Sequence, residues 1–204
     1  ICMTIVHFVQ WICVFFARRR FGEGEMGESE RRAEILQAAR HLALRHGLHA
    51  VTMEAIAKEA RVAKPTLYKY YGDKSAVFSA IVTELLVELH GRFSAELHDA
   101  GNVAERIAAA LTAKYAAITD FMAGSPHADE LYNETDRLSA PQVEVAEAAS
   151  DEAVIEVLRD AEIEEPEAVA RVVIGGAYGI FRKARPGEDI APAIRMLVTR
   201  VVGK

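Results

Sequence analysis

The stretch TMEAIAKEARVAKPTLYKYYGDK, residues 52 to 74, decides the fold. It reads as two short helices joined by a tight turn. Thr52 has a hydroxyl that can cap free backbone N–H groups, and Glu54 in the first turn suits the positive end of the helix dipole. Met53, Ile56, Ala57 and Ala60 recur at helical spacing and form one apolar stripe, in which the small Ala57 lets a second helix cross closely. Arg61, Val62 and Ala63 make the turn. Pro65 fits the start of the second helix, because its fixed φ is compatible there and its missing N–H would have been unpaired anyway. Val62 and Leu67 are the core residues of this half. Lys64, Thr66, Tyr68, Lys69 and Tyr70 are left to point outward, a mixture of cations, hydroxyls and aromatics that a merely structural helix does not need.

Helix-turn-helix readers place the N-terminal part of their second helix in the major groove, while flanking groups hold phosphates and fix the register. Lys64, Thr66 and Tyr68 stand where base edges or adjacent phosphates are met, and Lys69, Tyr70 and Lys74 suit backbone phosphates. Asp73 can cap a following helix, and the N–H groups at that helix start form a further anion site next to Lys74. Thr52 and Pro65 complete the candidate DNA-binding set.

A helix ending in His46-Gly47, then TMEAIAKEA, VAKPTLYKYY and DKSAVF, resembles the DNA-binding domain of TetR-family transcriptional regulators over roughly Arg31 to Ile81. The spacing of Gly47, Thr52, Ile56, Ala57, Ala60, Val62, Leu67, Tyr68, Tyr70, Lys74 and Phe78 carries the resemblance. It implies an all-α homodimer in which a three-helix head is followed by a larger helical domain that binds a small effector and releases DNA. Two positions depart from the family pattern. Arg61 stands where glycine is usual, and a non-glycine residue in a left-handed conformation costs on the order of 1 kcal/mol. Ala63 replaces a common capping serine, a loss of roughly 1 kcal/mol.

Charge supports this reading once divided by region. Residues 27–75 carry nine Lys/Arg against six Asp/Glu, whereas residues 76–204 carry 12 against 22. A modestly basic head on an acidic body suits a protein that presents one end to DNA, since phosphate contacts are local. The net charge of −6 therefore does not exclude DNA binding.

The remainder is alanine-rich with helical periodicity, punctuated at Gly101-Asn102, Gly124-Ser125-Pro126, Ser139-Ala140-Pro141, Glu165-Pro166 and Pro186-Gly187. The expected helices are nine, over 30–46, 52–60, 65–71, 74–98, 103–123, 127–138, 142–160, 167–184 and 190–202, with a head over 27–75 and a ligand-binding and dimerisation domain over 76–204. Helix 74–98 is the expected lever, since it starts beside Lys74 and runs into the body. The segment AVARVVIGGAYGIF, residues 168–181, is apolar nearly all round and holds Gly175, Gly176 and Gly179. Each helix-interior glycine costs about 1 kcal/mol against alanine, so three suggest a close approach by another backbone. A dimer seam of Val172, Gly175, Gly176 and Gly179 with Ile194, Leu197, Val198 and Val201 follows, with heads about 34–36 Å apart to read a palindromic operator. The alternative is that the same residues pack only within the subunit. Leu86, Leu89, Phe93, Tyr115, Ile118, Phe121, Met122 and Tyr132 are candidates to surround an apolar effector, although ordinary core is the better reading of any one of them taken singly.

Other chemistry is not supported. Gly22-Glu23-Gly24-Glu25-Met26-Gly27 matches G-x-G-x-x-G, yet no strand precedes it and its glutamates would repel a pyrophosphate. His127, Asp129 and Glu130 lack a second cluster for a metal site. Glu162, Glu164, Glu165 and Glu167 form a solvated charge run, and Gly124-Ser125-Pro126 is a turn rather than a nucleophile elbow. No catalytic constellation, cofactor or metal site is expected.

Residues 1–16, ICMTIVHFVQWICVFF, are apolar, and Arg18, Arg19 and Arg20 follow them. The basic residues come after the apolar run, the wrong order for a secretory signal, and the run is short against the roughly 20 residues of a span. A membrane-tethered regulator is one alternative. The preferred expectation is a start at Met26, with residues 1–25 as translated upstream sequence, because Gly22 to Glu25 requires purine-rich codons like those of a bacterial ribosome-binding site. Both cysteines, Cys2 and Cys13, lie in that segment, so no disulfide framework is indicated, in keeping with a cytoplasmic protein. The alternative from another class is a helical adaptor whose head binds a protein partner.

Overall fold

The computed structural model describes residues 26–185 and 187–203. The apolar N-terminal run, both cysteines and the tethering question lie outside the described residues. The described chain is all-α, in eight helices: α1 Met26–His46, α2 Met53–Glu59, α3 Lys64–Tyr70, α4 Lys74–Leu97, α5 Val103–Met122, α6 Ala128–Asp160, α7 Pro166–Lys183 and α8 Ala191–Val202. None of them is long and apolar enough to cross a membrane.

Local chemistry sets most boundaries. Thr52 Oγ1 accepts the backbone N–H of Ala55 at 3.1 Å, Asp73 Oδ1 that of Ala76 at 2.8 Å, and Asn102 Oδ1 that of Glu105 at 2.9 Å. Each satisfies a donor that the first turn of its helix leaves free. Expected helices 127–138 and 142–160 both fall within α6, which is interrupted between them at Ser139, whose backbone is not helical (φ −137°, ψ 24°). Pro141 lies just beyond this break; a proline inside a helix removes one hydrogen bond and crowds the preceding turn, which accounts for an interruption here.

Two compact units divide the described residues, 26–86 with 122–144, and 87–121 with 145–203. The first thus runs past residue 75 and takes in the start of α6. Its core holds Ile35, Ala39, Leu48, Ile56, Leu67 and Val77, all under 5% exposed. Segments far apart in sequence are tied here. Ser125 Oγ donates to the Leu44 carbonyl at 2.8 Å, and the His49 backbone N–H donates to Glu130 Oε1 at 3.3 Å. Gly47 ends α1 at φ +79°, and a Cβ there would lie 2.7 Å from Glu130 Oε2 and 3.1 Å from His127 Nδ1. The left-handed backbone favours glycine at this position, and a Cβ would in addition displace the end of the Glu130 side chain.

The second unit is built on Phe93, Leu97, Ile107, Leu111, Leu158, Val173, Ile194 and Val198, each 1% exposed or less. Tyr115 stacks on Phe181 with ring centroids 4.9 Å apart, and the buried Lys114 ammonium pairs with Glu147 at 2.7 Å. Burial, and after it the charge of His98, holds the half-buried His90 imidazole below the ordinary histidine range. As pH falls through the unfolded-state value, about 6.5, the unfolded chain takes the proton first, so stability held by neutral His90 is lost from there down toward the folded-state value. His90→Gln is expected to remove that loss: the difference in Tm between variant and parent moves in favour of the variant from about pH 8 to about pH 5.5. A difference independent of pH would refute this assignment.

The residues expected at the seam differ in exposure within the chain. Ile194 and Val198 are fully buried in the core of their own unit, where α7 packs on α8. Gly176 does mark a close approach, but to the same chain: a Cβ there would meet Leu197 Cδ2 at 2.5 Å. Gly175 and Gly179 have open space around them. The exposed apolar side chains on these two helices are Val172, Tyr178 and Met196, with Leu197 and Val201 half-buried.

Candidate nucleic-acid interface

Helices α2 and α3 meet through a turn in which Arg61 takes φ +54°, the left-handed conformation at which glycine carries no side-chain penalty. The Val62 backbone N–H donates to the Ala57 carbonyl at 2.9 Å and closes that turn. Helix α3 starts at Lys64, one residue earlier than expected, and its N-cap Ala63 supplies no side-chain hydrogen bond. Leu67 is the buried residue of this helix. Tyr71 at the C-cap is buried as well, and burial pushes its hydroxyl pKa up. These two side chains hold α3 on the head, and they leave its remaining face uncovered.

On that face Lys64, Pro65, Tyr68 and Lys69 are exposed, while Thr66 and Tyr70 are half-exposed. The candidate side chains from α3 therefore lie on the open surface of one seven-residue helix. Thr52 caps α2 with the hydroxyl suggested for a phosphate, so that oxygen is already an acceptor. Lys74 Nζ donates to the Leu48 carbonyl at 3.2 Å, which anchors the start of α4 against the loop after α1 and leaves the ammonium two other N–H donors.

Three partners were not legible in the sequence. Lys64 Nζ pairs with Glu54 Oε1 at 2.8 Å, across the two helices of the motif. The Arg32 guanidinium lies 5.5 Å from the Tyr70 ring centroid, within cation–π range, and also pairs with Glu28 at 3.4 Å. The Leu48 carbonyl that receives Lys74 belongs to a loop, and no residue type marks it. A basic residue near the start of α1 was visible, but its approach to an aromatic 38 positions later was not.

The eight effector candidates are all buried or half-buried. Leu89, Phe93, Tyr115 and Ile118 are buried and Phe121 half-buried in the second unit; Met122 is buried and Leu86 and Tyr132 half-buried in the first. Neither described surface groove involves any of them: one follows α8 at Pro192, Met196 and Thr199, and the other lies between α1 and the end of α2 at Gln37, His41 and Arg61. His127 and Glu130 approach each other at 3.4 Å, beside Gly47. Among the described residues no group of three or more His, Cys, Asp or Glu could hold a metal ion.

An outward-facing second helix fixed by one buried leucine, after a tight turn, places the head in the helix-turn-helix class. Residues 35–81 match the family described as bacterial regulatory proteins, tetR family. Over 140 residues the chain is 30% identical to the HTH-type transcriptional activator FasR of Mycolicibacterium smegmatis, covering 66% of this chain and 62% of that protein. The chain thus spans less than two thirds of that relative's length. Among solved structures, the TetR-family regulator PfmR from Thermus thermophilus matches with a TM-score of 0.63 at 16% identity, over 83% of this chain and 97% of that one. FadR from Bacillus subtilis in complex with stearoyl-CoA matches with a TM-score of 0.62, again at 16% identity and over 83% and 97% of the two chains. At these identities the likeness to solved structures concerns the fold. The head, residues 35–81, thus matches the TetR family, and the described chain shares the fold of the TetR-family structures.

Proposed function

We propose that this chain is a cytoplasmic, homodimeric transcriptional repressor that binds a palindromic operator through its head, residues 27–75, and is released by a small-molecule effector held in residues 76–204. The observation that carries this reading is the open polar face of α3, where Leu67 is buried beneath exposed Lys64, Tyr68 and Lys69. Lys64, Thr66 and Tyr68 address base edges, while Lys69, Tyr70 and Lys74 hold phosphates. Thr52 and Pro65 fix the starts of the two helices. The dimer forms through the exposed apolar residues Val172, Tyr178 and Met196, together with Gly175 and Gly179, which leave room for another chain.

The effector is a largely apolar molecule, in keeping with the apolar candidates from Leu86 to Tyr132. The complex of FadR with stearoyl-CoA is consistent with such a ligand on this fold. Activation is the second reading, favoured by the similarity to FasR, which is described as an activator.

Binding of the chain to duplex fragments from its own genomic neighbourhood, at two salt concentrations, tests the proposal. Sequence-selective binding that weakens steeply with salt is expected, because each neutralised phosphate contributes about −0.9 to the slope of log K against log salt. Binding without salt dependence or sequence preference would overturn it and favour a protein-binding adaptor. Transcription from the bound promoter, with and without the protein, separates repression from activation.

A further inference from the structure

The contact between Glu54 and Lys64 bears on how the head distinguishes one DNA sequence from another. Glu54 sits in the first turn of α2 and Lys64 opens α3, and their side chains, 57% and 58% exposed, meet at 2.8 Å across the motif. Hydrogen bonding to Lys64 holds the Glu54 carboxyl below its ordinary value, so the group is ionised throughout the neutral range. A cation placed to meet DNA is thereby matched by an anion on the same surface. Non-cognate duplex offers that surface phosphates but no base pair matched to both charges at this position. To use Lys64 there, the pair must open, and the freed carboxylate is left facing negative charge. A C·G base pair at this position offers more: guanine O6 and N7 accept from the ammonium, and cytosine N4 donates to the carboxylate.

We propose that Glu54 is a specificity-determining residue, which sequesters Lys64 and so weakens binding to non-cognate DNA more than binding to the operator. This rests on the DNA-binding reading of the head. Glu54 lowers the non-specific term, which is almost wholly electrostatic, and leaves the base-reading term largely in place.

The test uses the full chain as wild type, Glu54→Gln, Lys64→Gln and the double variant. Each is titrated, across a salt series, against a random-sequence duplex and against a duplex enriched by selection with the wild-type protein. Glu54→Gln is expected to bind the random duplex more tightly, with a salt slope steeper by about 0.9. That slope makes the gain over wild type grow by about 3.5-fold for each fourfold dilution of salt. The selected duplex gains less, so the ratio of selected to random affinity falls. In the Lys64→Gln background the same change is expected to have little effect, because no cation remains to be released. Thermal unfolding of all four proteins checks that the heads stay folded.

An unchanged slope and ratio in Glu54→Gln would overturn the proposal. So would an equal gain with Lys64 already replaced, which would reduce Glu54 to general repulsion. Failure of the wild type to bind any duplex in a salt-dependent way is a different result, and it would overturn the DNA-binding reading together with this one.

Discussion

Leu67→Ala is expected to destabilise the head by about 2–5 kcal/mol, the range for truncating a fully buried leucine. The effect is large because α3 has only seven residues and its N-cap Ala63 adds no side-chain hydrogen bond. A helix this short is marginal by itself and depends on tertiary packing. Leu67 is the buried side chain within the helix, and Tyr71 holds only its C-terminal end. Removing three carbons beneath the helix therefore loosens the element that carries Lys64, Thr66, Tyr68 and Lys69. Urea unfolding followed by circular dichroism measures the loss, and amide exchange of residues 53–71 locates it. Protection in that segment equal to wild type would show that Leu67 is not the anchor.

Tyr70→Ala is expected to lower affinity for every duplex by about 10-fold or more, the scale of a lost hydrogen bond to a charged group. Head stability should change little, since Tyr70 is only half-buried. Two effects combine at this residue. Its hydroxyl is a candidate donor to a phosphate, and its ring lies beneath the Arg32 guanidinium, 5.5 Å from centroid to cation. Tyr70→Phe separates them, because it keeps the ring under Arg32 and removes only the hydroxyl. A smaller loss in the phenylalanine variant assigns the difference to Arg32 placement; equal losses assign the whole effect to the hydroxyl. Loss confined to one sequence would contradict the phosphate role, which carries no sequence information.

The head was legible because its determinants are local. Thr52, Asp73 and Asn102 cap helices within three residues of themselves, and such pairs are readable from spacing alone. Arg61 in the left-handed region and Ala63 without a cap bond both followed from the family pattern, which has glycine and a capping serine at these turn positions. The break at Ser139 to Pro141 was visible from residue type. Proline marks a lost hydrogen bond, and whether the helix ends or merely bends depends on what packs against it.

The apolar face of the final helix was the least readable. Ile194, Leu197, Val198 and Val201 share one helical stripe, and periodicity cannot distinguish a stripe that faces its own subunit from one that faces another. The fold assigns Ile194 and Val198 to the core and leaves Met196, off the stripe, as the most exposed large apolar side chain on α8. Gly176 illustrates the same limit. Its missing Cβ signals a close neighbour, yet only the coordinates identify that neighbour as Leu197 of the same chain.

The sequence by itself determined the helical fold, the helix-turn-helix and the polar face of α3, since each follows from hydrogen bonds and apolar spacing within a few residues. Only the tertiary structure decided which charges that face presents. Lys64 is paired with Glu54 ten residues back, Arg32 covers Tyr70, Lys74 is spent partly on Leu48, and Glu130 closes on Gly47 and His49 from the start of α6. Such pairings depend on how helices cross, which is set by the packing of the core beneath them, and no residue's type or position in the chain records it.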